Sequence, residues 1–158
     1  MAAETKGEQV GTTIRAFLPA DAAAVTDILR ESPEASQWTE WGFKELLGWR
    51  GVLALVSEDD RKVIGFIIGR QVGGEAEILN AAVILTKRRK GQGGALLKAV
   101  MDDFRERGVS RVFLEVRESN EAGIAFYEKH GFSRTGRRAG YYRDPDEPAI
   151  VMEVRLAG

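Results

Sequence analysis

The segment that most restricts the fold is Lys87-Arg88-Arg89-Lys90-Gly91-Gln92-Gly93-Gly94. Before it, Glu75–Leu85 reads as a strand. After it, from Gly93 to Arg107, Leu96, Leu97, Val100, Met101 and Phe104 recur at the spacing of one helix face. Gly108 stands where a left-handed C-terminal cap belongs. A strand that turns through glycines into an amphipathic helix points to a layered α/β arrangement. The same turn is a good anion site. Glycines let a ligand approach the backbone, the first N–H groups of a helix lack intrahelical partners, and the helix dipole favours negative charge. Lysine and arginine add charge-assisted contacts to phosphate. The other reading is a basic, solvated surface turn. Two common nucleotide motifs fail here: the dinucleotide fingerprint needs glycine where Leu96 stands, and no Lys-Ser/Thr pair follows as in a Walker loop.

The rest of the chain supplies the layers. Thr13–Leu18 reads as a first strand, and Pro19 with Asp21 opens a helix carrying Val25, Ile28 and Leu29. Glu31–Gln37, with Pro33, reads as loop. Thr39 caps a short helix carrying Trp41, Phe43, Leu46 and Leu47. Gly51–Ser57 and Val63–Gly69 form a hairpin, and Gly73-Gly74 turns into the strand Glu75–Leu85. Val109–Val116 reads as a strand buried on both faces. Asn120 caps a helix running to about His130, and Gly131 ends it. Phe132–Thr135 and Ala149–Val154 read as the last strands, joined by the charged loop Arg137–Pro148. The expected fold is α/β (α+β): a mixed, mostly antiparallel twisted sheet of about seven strands flanked by about four helices. With 158 residues, one domain is expected over 13–158, behind a flexible polar leader at 1–12 that lacks the apolar stretch of a signal peptide.

Composition removes several functions. The 23 basic and 24 acidic residues leave a formal net charge of −1, so no global attraction draws in nucleic acid or an acidic membrane. With no cysteine, a thiolate nucleophile, an acyl-cysteine intermediate and a Cys-rich zinc site are impossible. The single histidine, His130, cannot build a two-histidine metal site, and any Ser-His-acid triad would have to use it. Its place beside Gly131 suits a cation at a helix C-terminus. No metal is expected. No apolar run approaches the ~18 residues of a membrane span, and the lack of cysteine fits the cytoplasm.

Arg88, Gly91 and Gly93 follow a spacing, R-x-x-G-x-G-G, that resembles the Q/R-x-x-G-x-G/A loop of the GCN5-related N-acetyltransferase (GNAT) superfamily. Residues 114–120 (LEVRESN) and 125–132 (AFYEKHGF) look like a further segment of that superfamily. Residues 137–142 (RRAGYY) and 149–152 (AIVM) resemble the tail of its bacterial ribosomal-protein-alanine N-acetyltransferases. The likeness runs over about 74–154; over 13–73 only element order and Trp38-Thr39-Glu40 fit. Leu85-Thr86 stands where the family often has Asp-Pro, and Arg88 where it usually has glutamine. The resemblance implies that two central strands splay to admit acetyl-coenzyme A. It puts Arg88, Arg89, Lys90, Gly91, Gln92, Gly93 and Gly94 around the pyrophosphate. It puts the backbone of Ala81, Ala82 and Val83 along the pantetheine arm, and Asn120 in contact with the coenzyme. The implied reaction is direct acetyl transfer to an amine, most closely the N-terminal α-amine of a protein, with a ribosomal protein as the implied acceptor.

Acetyl transfer needs a base for the amine, donors for the oxyanion and a proton for the leaving thiolate. Glu115 lies in an apolar strand, where desolvation favours the neutral acid. Taken alone it is equally a carboxylate ion-paired at the sheet surface, for example to Arg117. Tyr127 alone reads as a core aromatic with a satisfied hydroxyl. The resemblance makes Glu115 the general base and Tyr127 the general acid, with Glu77 in reserve as base. Trp38, Trp41 and Phe43 are either an acceptor wall or core, with core expected for at least one tryptophan. Tyr141, Tyr142, Asp144, Asp146 and Glu147 suit a basic peptide N-terminus, or form a solvated loop. The competing functions are acetylation of a small amine (a polyamine or aminoglycoside) and coenzyme-A sensing without turnover. A monomer or dimer is expected, with neither nucleic acid nor membrane as partner.

Overall fold

The computed structural model describes residues 12–84, 87, 88 and 90–156. Among these, seven strands form one sheet: β1 (Thr12–Ala16), β2 (Val52–Asp59), β3 (Lys62–Val72), β4 (Glu75–Val83), β5 (Arg111–Arg117), β6 (Ser133–Tyr142) and β7 (Glu147–Arg155). Four α-helices flank it: α1 (Ala22–Arg30), α2 (Glu40–Leu46), α3 (Gln92–Glu106) and α4 (Glu121–Lys129). The strand order is β1-β2-β3-β4-β5-β7-β6. Every neighbouring pair is antiparallel except β4–β5, which is parallel because α3 carries the chain back between them. None of the described helices is long and apolar enough to cross a membrane.

Each face of the sheet carries its own core. On one face Leu96, Leu97, Val100 and Phe104 of α3 pack on Ile67, Ile78, Val112 and Leu114. On the other, Val25 and Leu29 of α1 and Phe43 of α2 pack on Val56, Phe66 and Ile68. There Phe43 meets Phe66 edge-on at 5.5 Å and Phe17 at 5.6 Å. The α1 side is also tied to the sheet by charge. Arg15 of β1 donates to both carboxylate oxygens of Asp21, at 2.8 and 2.9 Å, and to Glu58 of β2 at 2.8 Å.

The central event is at the β4–β5 junction. The two strands pair only from Glu75↔Arg111 to Ile78↔Leu114 and then separate. At the same point β4 has a bulge against β3: Gly69 faces Ile78 and Ile68 faces Asn80, so Leu79 is the extra residue. A bulge bends and twists its strand. Here it turns Leu79 toward the α1–α2 core, while Ala81 packs with Ile78 on the α3 side.

Three expectations change. Val109–Val116 is not buried on both faces: in β5 Val112, Leu114 and Val116 are buried, whereas Arg111, Phe113, Glu115 and Arg117 stay half-open. Among the described residues, the α3 side of that strand belongs to a buried core and its other side does not. The strand expected over Phe132–Thr135 extends to Tyr142, so most of the Arg137–Pro148 loop is strand. Its glycines and arginines hide it from pattern reading because β6 is a solvated edge whose one strand neighbour is β7. Helix α3 begins at Gln92 rather than Gly93. The expected leader lies outside the described residues except for Thr12, which opens β1.

Candidate active site

Where β4 and β5 part, a cleft opens. Strand β4 contributes Asn80 and Ala81, and β5 contributes Glu115. Tyr127 of α4, its cap Asn120, Tyr142 of β6 and the segment Glu34–Ser36 complete the walls. Thus Ala81, Glu115, Asn120 and Tyr127, four of the residues expected from sequence, share one cleft.

The backbone of β4 is turned toward it selectively. Ile84 N–H bonds to Ile64 O of the neighbouring β3 segment at 2.9 Å. By the alternation of an antiparallel strand, Ala82 also faces β3, whereas the N–H groups of Ala81 and Val83 point the other way, into the gap. Ala82 therefore offers a small side chain rather than backbone donors. Ala81 N–H bonds to Asn80 Oδ1 at 3.0 Å.

The glycine turn follows at one end. Gly91 caps α3 in the left-handed region, φ +83°, where glycine carries no Cβ penalty. The first helical bond is Ala95 N–H to Gly91 O at 3.0 Å. The N–H groups of Gln92, Gly93 and Gly94 therefore belong to the first turn, where a helix provides no acceptor. A Cβ on Gly93 would lie 3.5 Å from the Phe126 ring, and one on Gly94 3.1 Å from His130 Nε2. Glycine thus lets α4 close against the turn. The Ser57 hydroxyl donates to Gln92 Oε1 at 3.0 Å, anchoring α3 to β2. The cations are less available than the sequence suggests. Lys87 pairs with Asp59 at 2.9 Å. Arg88 turns inward, donating Nε to Val83 O at 2.8 Å and Nη2 to Ser32 Oγ at 2.7 Å and Glu34 at 3.2 Å. Lys90 is exposed; Arg89 lies outside the described residues.

Glu115 projects from the half-open face of β5 with its side chain 11% exposed and pairs with Arg138 Nη1 at 2.6 Å. The ion pair expected at the sheet surface exists, but its partner is Arg138 of β6. Arg117 instead pairs with Glu147 at 3.0 Å and lies over the Tyr142 ring at 4.5 Å. The Arg138 guanidinium lies 4.2 Å from the Tyr141 ring centre. Glu77 joins this group: burial first, and the Glu115 charge second, push its carboxyl above the usual carboxylate range, with Arg138 opposing. Tyr127 packs edge-on against Phe126 at 5.2 Å and Phe132 at 5.5 Å. Burial pushes its hydroxyl up to about 12, so at neutral pH it keeps its proton. Burial, the Tyr141 charge and then the Glu115 charge push Tyr142 up to about 12 as well.

Asn120 is the helix cap foreseen from sequence: its Oδ1 accepts Gly123 N–H at 2.9 Å. His130 ends α4, with Nδ1 2.8 Å from Phe126 O. Trp38 packs on Phe43 at 5.2 Å, the core role expected of one tryptophan, whereas Trp41 is 69% exposed. Sequence reasoning missed Arg138 and Asn80. A polar amide inside the apolar strand Glu75–Val83 was the available signal for Asn80. No local signal marks Arg138, because its contact to Glu115 spans 23 residues.

Comparison with known proteins gives the frame. The acetyltransferase (GNAT) family profile matches residues 22–132. The chain is 35% identical over 131 residues to a [ribosomal protein bS18]-alanine N-acetyltransferase of Escherichia coli (strain K12), covering 82% of this chain and 88% of that protein. The crystal structure of the ribosomal-protein-S18-alanine N-acetyltransferase from Escherichia coli superposes with a TM-score of 0.81 at 35% identity, over 93% of this chain and 96% of that one. Ard1 from Thermoplasma volcanium superposes with a TM-score of 0.86 at 34% identity, over 94% of this chain and 100% of that one.

Proposed function

Since the chain belongs to the acetyltransferase (GNAT) family, we propose that it moves the acetyl group of acetyl-coenzyme A directly to the N-terminal α-amine of a protein, with a ribosomal-protein alanine as acceptor. The observation that carries this reading is the cleft itself: Glu115 and Tyr127 share it at the point where β4 and β5 separate.

The donor substrate fits the residues present. The first-turn N–H groups of Gln92–Gly94 and the exposed Lys90 suit a pyrophosphate, with Arg88 and Gly91 shaping the turn. The inward N–H groups of Ala81 and Val83, beside the small Ala82, suit the pantetheine arm and the thioester oxygen. Asn120 keeps its amide nitrogen for the same ligand while its oxygen caps α4. In the transfer, Glu115 accepts a proton from the acceptor ammonium, and the freed amine attacks the thioester carbonyl. As the C–S bond breaks, Tyr127 gives its proton to the departing thiolate; the second proton, lost from the nitrogen of the tetrahedral intermediate, restores the phenol, and Glu115 passes its proton to solvent. Because the chain has no cysteine, no acyl-cysteine intermediate intervenes. Glu77, close enough to feel the Glu115 charge, takes no proton from the amine in this scheme.

The acceptor assignment rests on the names of relatives 35% identical over most of the chain. Tyr141, Tyr142, Asp144 and Asp146 at the β6–β7 end suit a basic peptide N-terminus, while Glu147 is already taken by Arg117 and Ser119. The same reading places the enzyme in the cytoplasm with its ribosomal acceptor. The test is mass spectrometry of peptides with free and blocked N-termini incubated with protein and acetyl-coenzyme A. A 42 Da gain at the α-amine of alanine-initiated peptides, absent from blocked ones, is expected of one acetyl group replacing one hydrogen (about 42 Da). Turnover with spermidine but with no peptide would replace the protein acceptor by a small amine.

A further inference from the structure

Residues 31–39 run between α1 and α2 without regular structure, yet Glu34, Ala35 and Ser36 form a wall of the cleft. That wall is held from the strand and turn assigned to the coenzyme. Asn80, only 5% exposed, donates Nδ2 to Ser36 O at 2.8 Å and accepts Ala81 N–H at Oδ1. Arg88 reaches the same segment from beyond β4, through the hydroxyl of fully buried Ser32 and the carboxylate of Glu34. Buried amides and hydroxyls are normally paired, so these bonds explain why two polar groups stand in otherwise apolar surroundings. They also leave Arg88 engaged with the wall rather than turned to an anion.

We propose that Asn80 and Arg88 are positioning residues that tie the 32–36 wall to the coenzyme strand, so that seating the coenzyme sets the acceptor side of the cleft. The identity of the two ligands rests on the acetyl-transfer reading above. The path is short. Ala81 N–H points into the gap and is held by Asn80 Oδ1, so a ligand packed against this peptide fixes the amide whose other end holds Ser36. An anion settling on the Gly91–Gly94 turn acts on the loop from which Arg88 reaches Ser32 and Glu34. Such coupling is reciprocal: whatever factor the coenzyme lends the acceptor, the acceptor returns.

Hydrogen exchange of backbone amides, read by mass spectrometry with and without coenzyme A, tests this directly. Coenzyme A is added at a concentration that saturates each protein. In the wild type, exchange across 32–38 slows about fivefold or more on addition of coenzyme A, the size of an ordinary coupling. Asn80→Asp keeps the shape and the acceptor oxygens but removes the donor to Ser36. Arg88→Met keeps the stem and removes the guanidinium. In both variants the slowing across 32–38 disappears while slowing at 92–96 remains. Equal slowing in the variants, or none in the wild type, overturns the proposal. Arg88 is partly exposed, so its variant decides the matter if Asn80→Asp does not fold. A second readout is the KM of an alanine-initiated hexapeptide, which rises about fivefold in both variants with kcat changed less. A wild type that shows the exchange response but acetylates no peptide ends the acceptor reading and leaves the tie standing. One that acetylates peptide without the response ends the tie alone.

Discussion

The side of the cleft assigned here to the coenzyme and the side assigned to the acceptor are built on different principles. From β4 through the glycine turn to α3, the groups offered to a ligand are backbone N–H groups held by regular structure: Ala81 and Val83 by the bulged strand, Gln92–Gly94 by a helix start. The acceptor side is made of side chains from segments far apart in sequence: Glu34–Ser36, Glu77, Glu115, Arg138 and Tyr142. Backbone recognition suits a donor substrate of constant shape. Side-chain recognition lets one fold change its acceptor.

Substitutions sharpen this contrast, and the largest effect is expected where the two sides meet. Tyr127→Phe keeps the ring packed on Phe126 and Phe132 but removes the proton donor; kcat is expected to fall about 100-fold with the coenzyme affinity little changed. Steady-state kinetics beside coenzyme binding checks it, and an unchanged kcat would take Tyr127 out of the reaction. Next is the backbone side. Gly91→Ala meets no atom within 4 Å, so its cost is conformational, about 1–2 kcal/mol for a left-handed residue. If that strain falls on the N–H array, the KM for acetyl-coenzyme A rises about tenfold while the acceptor KM stays near its wild-type value. A rise confined to the acceptor KM would break the division between the two sides.

Smaller effects concern how the acceptor side is anchored. Arg15 hydrogen bonds hold the Asp21 carboxyl below its usual range. A folded value below the unfolded one means stability that is present above the ordinary carboxylate range and lost as pH falls through the folded value. Asp21→Asn should therefore cost about 1–3 kcal/mol at neutral pH, discounted for a partner one-third exposed. The difference from wild type should vanish in strong acid, as denaturant titrations at several pH values would show. Glu77 has the opposite sign. Its carboxyl is raised, so it destabilises the fold once pH climbs past the unfolded value, and fully so above the folded one. Glu77→Gln should gain less than about 1 kcal/mol at neutral pH and nothing at pH 3.

What could be read from sequence divides along the same line. The strand, the glycine turn, the α3 face and the Asn120 cap are local patterns, and each is found where it was expected. Glu115 and Tyr127 were located as residues, but their setting was not. The open face of β5 depends on how other elements pack, which no periodicity within seven residues records. Arg138 and the length of β6 were lost because an edge strand rich in glycine and arginine carries no apolar alternation. Asn80 was passed over because its partner, Ser36, is a backbone carbonyl 44 residues away.

The central claim is that the carboxylate at the parting of β4 and β5 takes the proton from the acceptor. Turnover of Glu115→Gln, at saturating acetyl-coenzyme A and peptide, measures it most directly. The expected result is a kcat about 100-fold or more below wild type, with coenzyme affinity retained. A kcat within twofold of wild type, with Glu77→Gln inactive instead, would move the base to the neighbouring strand and contradict the account.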